Sequence, residues 1–293
     1  MQEWNYERNR FDEQWEQTEL AAQKNHRLVR RVVVVAMLVL TLIAGFCIYF
    51  LGTAVNAWGA PVCRAIDHRG TSHAADNTLE GQAWDAAHHV RTEGDLMALY
   101  GLGTVWFHQK DFNQGTNGEG PPSTRRSVYA DSLVLDTGEQ VPLGIQVFRQ
   151  ARANHGKLLV ELHFWPDGWT RAHLASVVAA VRHLGLQKQI AFTGTRPALA
   201  TLASLAPRFQ AIKRIKHGEV FTRDQAETLS VDGIQVPAGL LTAGQVRVWR
   251  RSGYTVWGHA SLPSGWPAFL RSGIGTVQTN SPGAFLSTCR SWR

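Results

Sequence analysis

Beyond residue 62 the chain is expected to fold as an α/β protein, a (β/α)8 barrel of the TIM type, preceded by a single N-terminal transmembrane helix. Three observations predict this. Short apolar strand-like runs alternate with amphipathic helix-like runs from Cys63 onward. The number of such units over about 230 residues suits eight staves. Ahead of them, residues 32–51 form an apolar run without a single charge.

That run comes first in chain order. At a helical rise of about 1.5 Å per residue it spans roughly 30 Å, the thickness of a hydrocarbon core. Lys24, Arg27, Arg30 and Arg31 precede it, and no charge follows until Arg64. The positive-inside rule then assigns residues 1–31 to a cytoplasmic tail and the barrel, residues 63–293, to the periplasmic or extracellular side, with 52–62 as linker. The polar lead-in and the apolar run are both too long for a cleaved signal peptide, so the segment reads as a permanent single-pass anchor.

Strand candidates follow at 64–67, 90–96, 104–108, 158–163, 189–193, 209–215, 233–236, 255–258 and 275–279, with helix candidates at 78–89, 170–184, 197–205, 242–252 and 265–271. Nine strands for eight staves leave one as a hairpin arm or as no strand at all. Residues 114–129, rich in Gly, Pro, Ser and Thr, read as a long loop.

Charged residues make up only 18% of the chain, yet the net charge is +7. The first 31 residues carry six acids and six bases, so the excess lies wholly in the remainder. A basic face of this kind suits an anionic small molecule or membrane surface. Nucleic acid is not expected, because no Lys/Arg run is interleaved with aromatics. Cys47 falls in the apolar run, and Cys63 and Cys289 stand at opposite ends of the barrel segment. They either close a disulfide in an oxidising compartment or remain two thiols; both are open.

In a parallel barrel, function collects where strands run out into loops. His68-Arg69 ends the first strand candidate, Glu93 and Asp95 lie on the second, His108 ends the third, and Glu161 and His163 lie on the fourth. Residues two apart on a strand share a face, which pairs Glu93 with Asp95 and Glu161 with His163. Three inward carboxylates repel one another unless something positive sits among them, and a hard divalent cation, Ca²⁺ or Mg²⁺, answers that need. Each motif alone has a structural explanation, since strand-end histidines often only hydrogen-bond and Glu-x-Asp occurs by chance. The ordered set on successive strands carries the weight. Phe164, Trp165 and Trp169 follow the fourth strand and are candidates either for a rim that contacts substrate or for packing under a loop.

This set resembles the glycerophosphodiester phosphodiesterase family, within the wider group of phospholipase-C-like phosphodiesterase barrels. The resemblance rests on His68-Arg69-Gly70, Asp76-Asn77-Thr78, Glu93-Gly94-Asp95, Trp106-Phe107-His108 and Glu161-Leu162-His163, and on the segments around Trp257 and 273–280. It implies that Glu93, Asp95 and Glu161 bind the cation, that Arg69 and His163 bind substrate phosphate, and that His68 and His108 act as the acid-base pair. It further implies attack on phosphorus by a neighbouring glycerol hydroxyl, with a cyclic phosphate then opened by water. The partner it implies is a small phosphodiester or lipid headgroup, with no protein partner indicated.

Three positions and one segment depart from the family pattern: Gln109 follows the second histidine, residues 141–145 lack the usual acids, His163 stands for a lysine, and Asn280 for an aspartate. Three functions therefore stand side by side. The first is a membrane-anchored metal-dependent phosphodiesterase. The second is a phospholipase-D-like or glycan phosphodiester hydrolase on the same barrel. The third is a non-catalytic barrel that binds phosphate ligands or scaffolds an envelope complex.

Overall fold

The computed structural model describes residues 62–164 and 167–292, together with Met37 and Thr41. The chain divides into two units, Met1–Gly59 and Ala60–Arg293. The apolar run at 32–51, assigned above to the membrane, lies outside the described residues apart from Met37 and Thr41. Among the described residues no helix is long and apolar enough to cross a bilayer.

The second unit is a closed barrel. Its staves are β1 (Arg64–Asp67), β2 (Arg91–Ala98), β4 (Lys157–Leu162), β5 (Ile190–Gly194), β6 (Gln210–Arg214), β7 (Gly233–Pro237), β8 (Thr255–His259) and β9 (Thr276–Thr279). Each is hydrogen-bonded in parallel to the next, and β9 and β2 both pair with β1, which closes the ring. The ninth strand, β3 (Thr104–Trp106), pairs antiparallel with the end of β2, Leu96 opposite Trp106. It is the hairpin arm. His108 therefore follows this arm and does not end a barrel stave, which corrects the expectation for the third strand candidate. The direction of a strand is not written in its alternation, so the pattern alone does not say which of the nine candidates is the arm.

Between the staves lie α1 (Leu79–Ala87), α2 (Ser127–Ala130), α3 (Gly144–Ala153), α4 (Arg171–His183), α5 (Arg196–Leu205), α6 (Arg223–Thr228), α7 (Ala243–Arg251), α8 (Trp266–Arg271) and α9 (Pro282–Ser291). Thr78, Thr170, Thr222 and Thr242 cap α1, α4, α6 and α7, each side-chain oxygen accepting from the backbone N–H three residues on. The long loop contains a 3-10 turn at Pro122–Thr124, an antiparallel bridge from Thr116 to Leu135, and the start of α2.

Cys63 and Cys289 form a disulfide, with Cα atoms 5.8 Å apart. It ties the residue before β1 to α9 and resolves the choice between bridge and thiols.

The period-two geometry of the staves builds the interior in layers. Ile66, Leu159, Ala191, Ile212 and Trp257 meet as an apolar plug inside the barrel. Two residues further along, toward the strand ends, the same faces carry His68, Glu161, Thr193, Arg214 and His259. A polar ring thus rests on an apolar floor. Gly94, on the opposite face of β2 from Glu93 and Asp95, makes room for the β3 arm, because a Cβ there would lie 2.1 Å from the buried Trp106 indole.

Candidate active site

All seven residues singled out in the sequence converge at the C-terminal mouth of the barrel. Asp95 and Glu161 are register partners on neighbouring staves. Glu93, Asp95 and Glu161 each offer an oxygen within 4.8 Å of the others, and Asp95, His108 and His163 form a second such group. Carboxylate oxygens and imidazole nitrogens are the donor types that a metal ion takes.

His68 and Arg69 belong to a 3-10 turn, His68–Gly70, that leaves β1. Arg69 has φ of 60°, a left-handed conformation that a side chain adopts at some cost. Tight contacts hold it there. The Arg69 N–H donates to Glu93 Oε2 at 3.2 Å, and the Asn77 N–H donates to the Arg69 carbonyl at 2.7 Å. The Arg69 side chain then fans over the site: one terminal nitrogen meets Asp76 Oδ2 at 3.0 Å, Nε lies 3.2 Å from Asp95 Oδ2, and the other terminal nitrogen donates to His108 Nε2 at 2.7 Å.

That last contact fixes the resting state of His108, because a guanidinium only donates. Nε2 is the acceptor, and Nδ1 is buried without a partner. Burial first, then the charge of Arg69, pulls the His108 pKa down to about 4. His68 Nδ1 lies 2.8 Å from Asn280 Oδ1, so a proton on Nδ1 leaves the lone pair on Nε2, 4.0 Å from Glu93 Oε2. Burial lowers its pKa too, against the Asn280 contact. The His259 ring stands edge-on to His68 at 5.7 Å, and burial followed by Arg214 depresses it to about 4.

His163 sits just past the end of β4 rather than on it. Its Nδ1 bridges Asp95 Oδ1 at 3.3 Å and Glu161 Oε1 at 3.2 Å, and its ring lies 4.8 Å from that of His108. Phe164 packs on the His163 ring at 4.0 Å between centroids. Trp169 is buried and donates its indole N–H to the His163 carbonyl, so it supports the site from beneath and does not form a rim. Trp165 lies outside the described residues.

The residue that the sequence did not bring forward is Arg214, at the end of β6. Its NH1 is 2.6 Å from Glu161 Oε2 and its NH2 is 3.2 Å from Glu93 Oε1. The signal was the same two-residue step that marks Leu159-x-Glu161 and Trp257-x-His259. Ile212-x-Arg214 continues the apolar plug into the polar ring. Asn77 enters the sequence reading only through the Asp76-Asn77-Thr78 motif. Its amide donates to Asp95 Oδ2 at 3.3 Å while its Oδ1 accepts the Asp95 N–H at 3.0 Å.

With these contacts every carboxylate oxygen of the trio has a protein partner. Glu93 faces Arg214 and the Arg69 N–H, Asp95 faces His163 on one oxygen and Arg69 with Asn77 on the other, and Glu161 faces His163 and Arg214. A Ca²⁺ or Mg²⁺ ion needs such oxygens free to approach at about 2.0–2.6 Å. The donor types suit a cation, but their arrangement does not, because the guanidinium already fills the gap between Glu93 and Glu161.

Burial and neighbouring charges together set the resting protonation of the trio. Burial, then Asp95, raises Glu93 well above the usual carboxylate range. Burial, then Glu161, raises Asp95 to about 6. Burial would raise Glu161 as well, but Arg214 and His163 outweigh it and hold it at about 2.

Beneath the His68 turn lies a second acidic pair. Asp67 ends β1 and Asp85 belongs to α1; both are fully buried, and neither Asp85 oxygen has a hydrogen-bond partner. Burial, then the Asp67 charge, raises Asp85 to about 8. A carboxyl whose folded pKa lies above its unfolded value favours the fold when protonated, and that contribution is lost as pH rises through the folded value. The Tm of the wild-type chain is therefore expected to fall between about pH 4 and 8, and to level off above that, relative to that of Asp85→Asn, whose amide stays neutral. Parallel pH profiles of the two proteins in scanning calorimetry would contradict it.

The closed parallel barrel is shared with solved phosphodiesterases. A candidate glycerophosphodiester phosphodiesterase from Galdieria sulphuraria superposes with a TM-score of 0.71 at 18% identity, over 79% of this chain and 99% of that one. An Oleispira antarctica phosphodiesterase, solved with the product sn-glycerol-3-phosphate, gives 0.69 at 19% identity over 78% and 96%. A glycerophosphodiester phosphodiesterase from Parabacteroides distasonis gives 0.69 at 18% over 80% and 99%. No family model and no curated protein matches the chain in sequence. The likeness establishes a common fold at wide sequence divergence.

Proposed function

We propose that this protein is a phosphoric diester hydrolase acting on glycerophosphodiesters or related lipid headgroup diesters at the mouth of the barrel. The observation that carries this is the meeting of His68, Arg69 and His108 over one carboxylate cluster, although they come from two segments of the chain. The shared fold with a glycerophosphodiester phosphodiesterase, and with a phosphodiesterase that holds the product sn-glycerol-3-phosphate, supports it.

In this reading the phosphodiester anion draws the Arg69 guanidinium away from His108. His68, with its Nε2 lone pair directed by Asn280, is the base: it takes the proton of the attacking hydroxyl as the oxygen–phosphorus bond forms. His108, released from Arg69 and raised in pKa by the incoming anion, carries the proton that the departing alcohol oxygen receives as the second phosphorus–oxygen bond breaks. Water then opens the cyclic phosphate with the two roles exchanged. Arg69, Arg214 and His163 supply positive charge and hydrogen bonds to the phosphoryl oxygens. The Ca²⁺ or Mg²⁺ ion expected from the three acids enters no step here, since their oxygens are engaged by the protein.

The Cys63–Cys289 bridge supports an oxidising compartment, the same side of the membrane that the charges around residues 32–51 assign to the barrel. We infer a barrel tethered at the outer surface, where diester headgroups are within reach.

A panel of glycerophospho-alcohols and lysolipids incubated with the full chain and read by mass spectrometry tests the activity. Release of the alcohol from at least one member is expected. A panel left intact would favour the reading as a phosphate-binding scaffold.

A further inference from the structure

We propose that Arg214 takes the place of a divalent cation among Glu93, Asp95 and Glu161, so that this barrel works without a metal. The inference rests on the phosphodiesterase reading for its consequence but not for its geometry. Two guanidinium nitrogens bridge two of the three acids, at 2.6 Å to Glu161 and 3.2 Å to Glu93. An arginine that had merely swung onto nearby acids would lack backing, whereas this one is gripped from behind. Nε donates to Gln235 Oε1 at 2.9 Å, NH2 also meets Gln278 Oε1 at 3.3 Å, and Gln235 Nε2 donates to the same Gln278 oxygen at 2.7 Å. Both glutamines are wholly buried, on β7 and β9. Four staves thus cooperate to aim one guanidinium.

Removing it would leave a buried acid trio short of a cation and the Gln235 oxygen short of a donor, which is costly. A guanidinium also differs from an ion in being tethered and permanently charged, so the site needs no loading step. The side chain keeps 24% exposure and lines a cavity of about 430 Å³ with Arg196, Lys213 and Thr195, so substrate oxygens can reach it.

The test is calorimetric titration of Mg²⁺ and of Ca²⁺ into the full-length wild type and into Arg214→Gln, with diester turnover measured alongside in EDTA. The wild type is expected to show no saturable binding of either ion and unchanged turnover in EDTA. The variant is expected to bind a divalent cation and to lose turnover by about 100-fold or more, with recovery on adding the ion. Saturable micromolar binding to the wild type, or wild-type turnover abolished by EDTA and restored by Mg²⁺ or Ca²⁺, would overturn the proposal. Should the variant fail to fold, the wild-type titration decides alone. Absence of turnover in every sample would count against the hydrolase reading, while the titration would still settle the place of the cation.

Discussion

His108→Ala is expected to lower kcat for glycerophospho-alcohols by about 10²–10⁴-fold, and the size of the loss depends on the leaving alcohol. His108 is the proton carrier for that alcohol, its Nε2 masked by Arg69 at rest. A p-nitrophenyl ester of glycerol phosphate leaves as a stable phenolate and needs little protonation, so on it the variant is expected to retain most of the wild-type rate. His68→Ala removes the base and is expected to lose a similar factor on both substrates. The contrast separates the two roles by measurement of kcat alone. Equal losses for both variants on both substrates would refute the division of labour, though not the site.

The second large effect is on stability. The Cys63–Cys289 bridge closes a loop spanning a sequence separation of 226 residues, which encloses every stave of the barrel. Loop-closure entropy alone gives such a bridge about 5 kcal/mol, and for a unit of this size that is roughly 10–20 °C in Tm. Cys63→Ser with Cys289→Ser is expected to lower Tm by about that much. Reducing the wild type is expected to match the double variant, since both release the same constraint. A change of only a degree or two would mean that β1 and α9 stay docked in the unfolded ensemble, or that the thiols are not bridged in solution.

The staves and their order were legible because the barrel floor repeats one chemical rule. Apolar residues such as Leu159 and Trp257 stand two positions before polar ones, and turns rich in glycine and threonine separate the runs. The acid trio and its histidines were legible for the same reason. Which of the nine strand candidates is the hairpin arm was not legible, because Thr104–Trp106 alternates like its neighbours and pairs in the opposite direction only through tertiary contact. α3 escaped notice because Gly144 opens it and its capping comes from Gln146 reaching back to the Leu143 N–H, a pattern without the usual Ser or Thr. Arg214 was hidden for a different reason. A charge at the end of a short strand reads as solvent-facing, and only closure of the ring, bringing β6 opposite β2, turns it toward Glu93. The departure at Asn280 acquires a purpose once the fold is known, since the amide orients His68 without adding another negative charge to the mouth.

The central claim is that the barrel mouth breaks phosphodiesters with its own histidines. Following a glycerol phosphodiester by ³¹P NMR in the presence of the full chain tests it most directly. The expected record is a diester signal that decays into a phosphomonoester with the wild type and stays constant with the His68→Ala/His108→Ala double variant. A diester signal that persists with the wild type, or one that the double variant consumes equally fast, would contradict it.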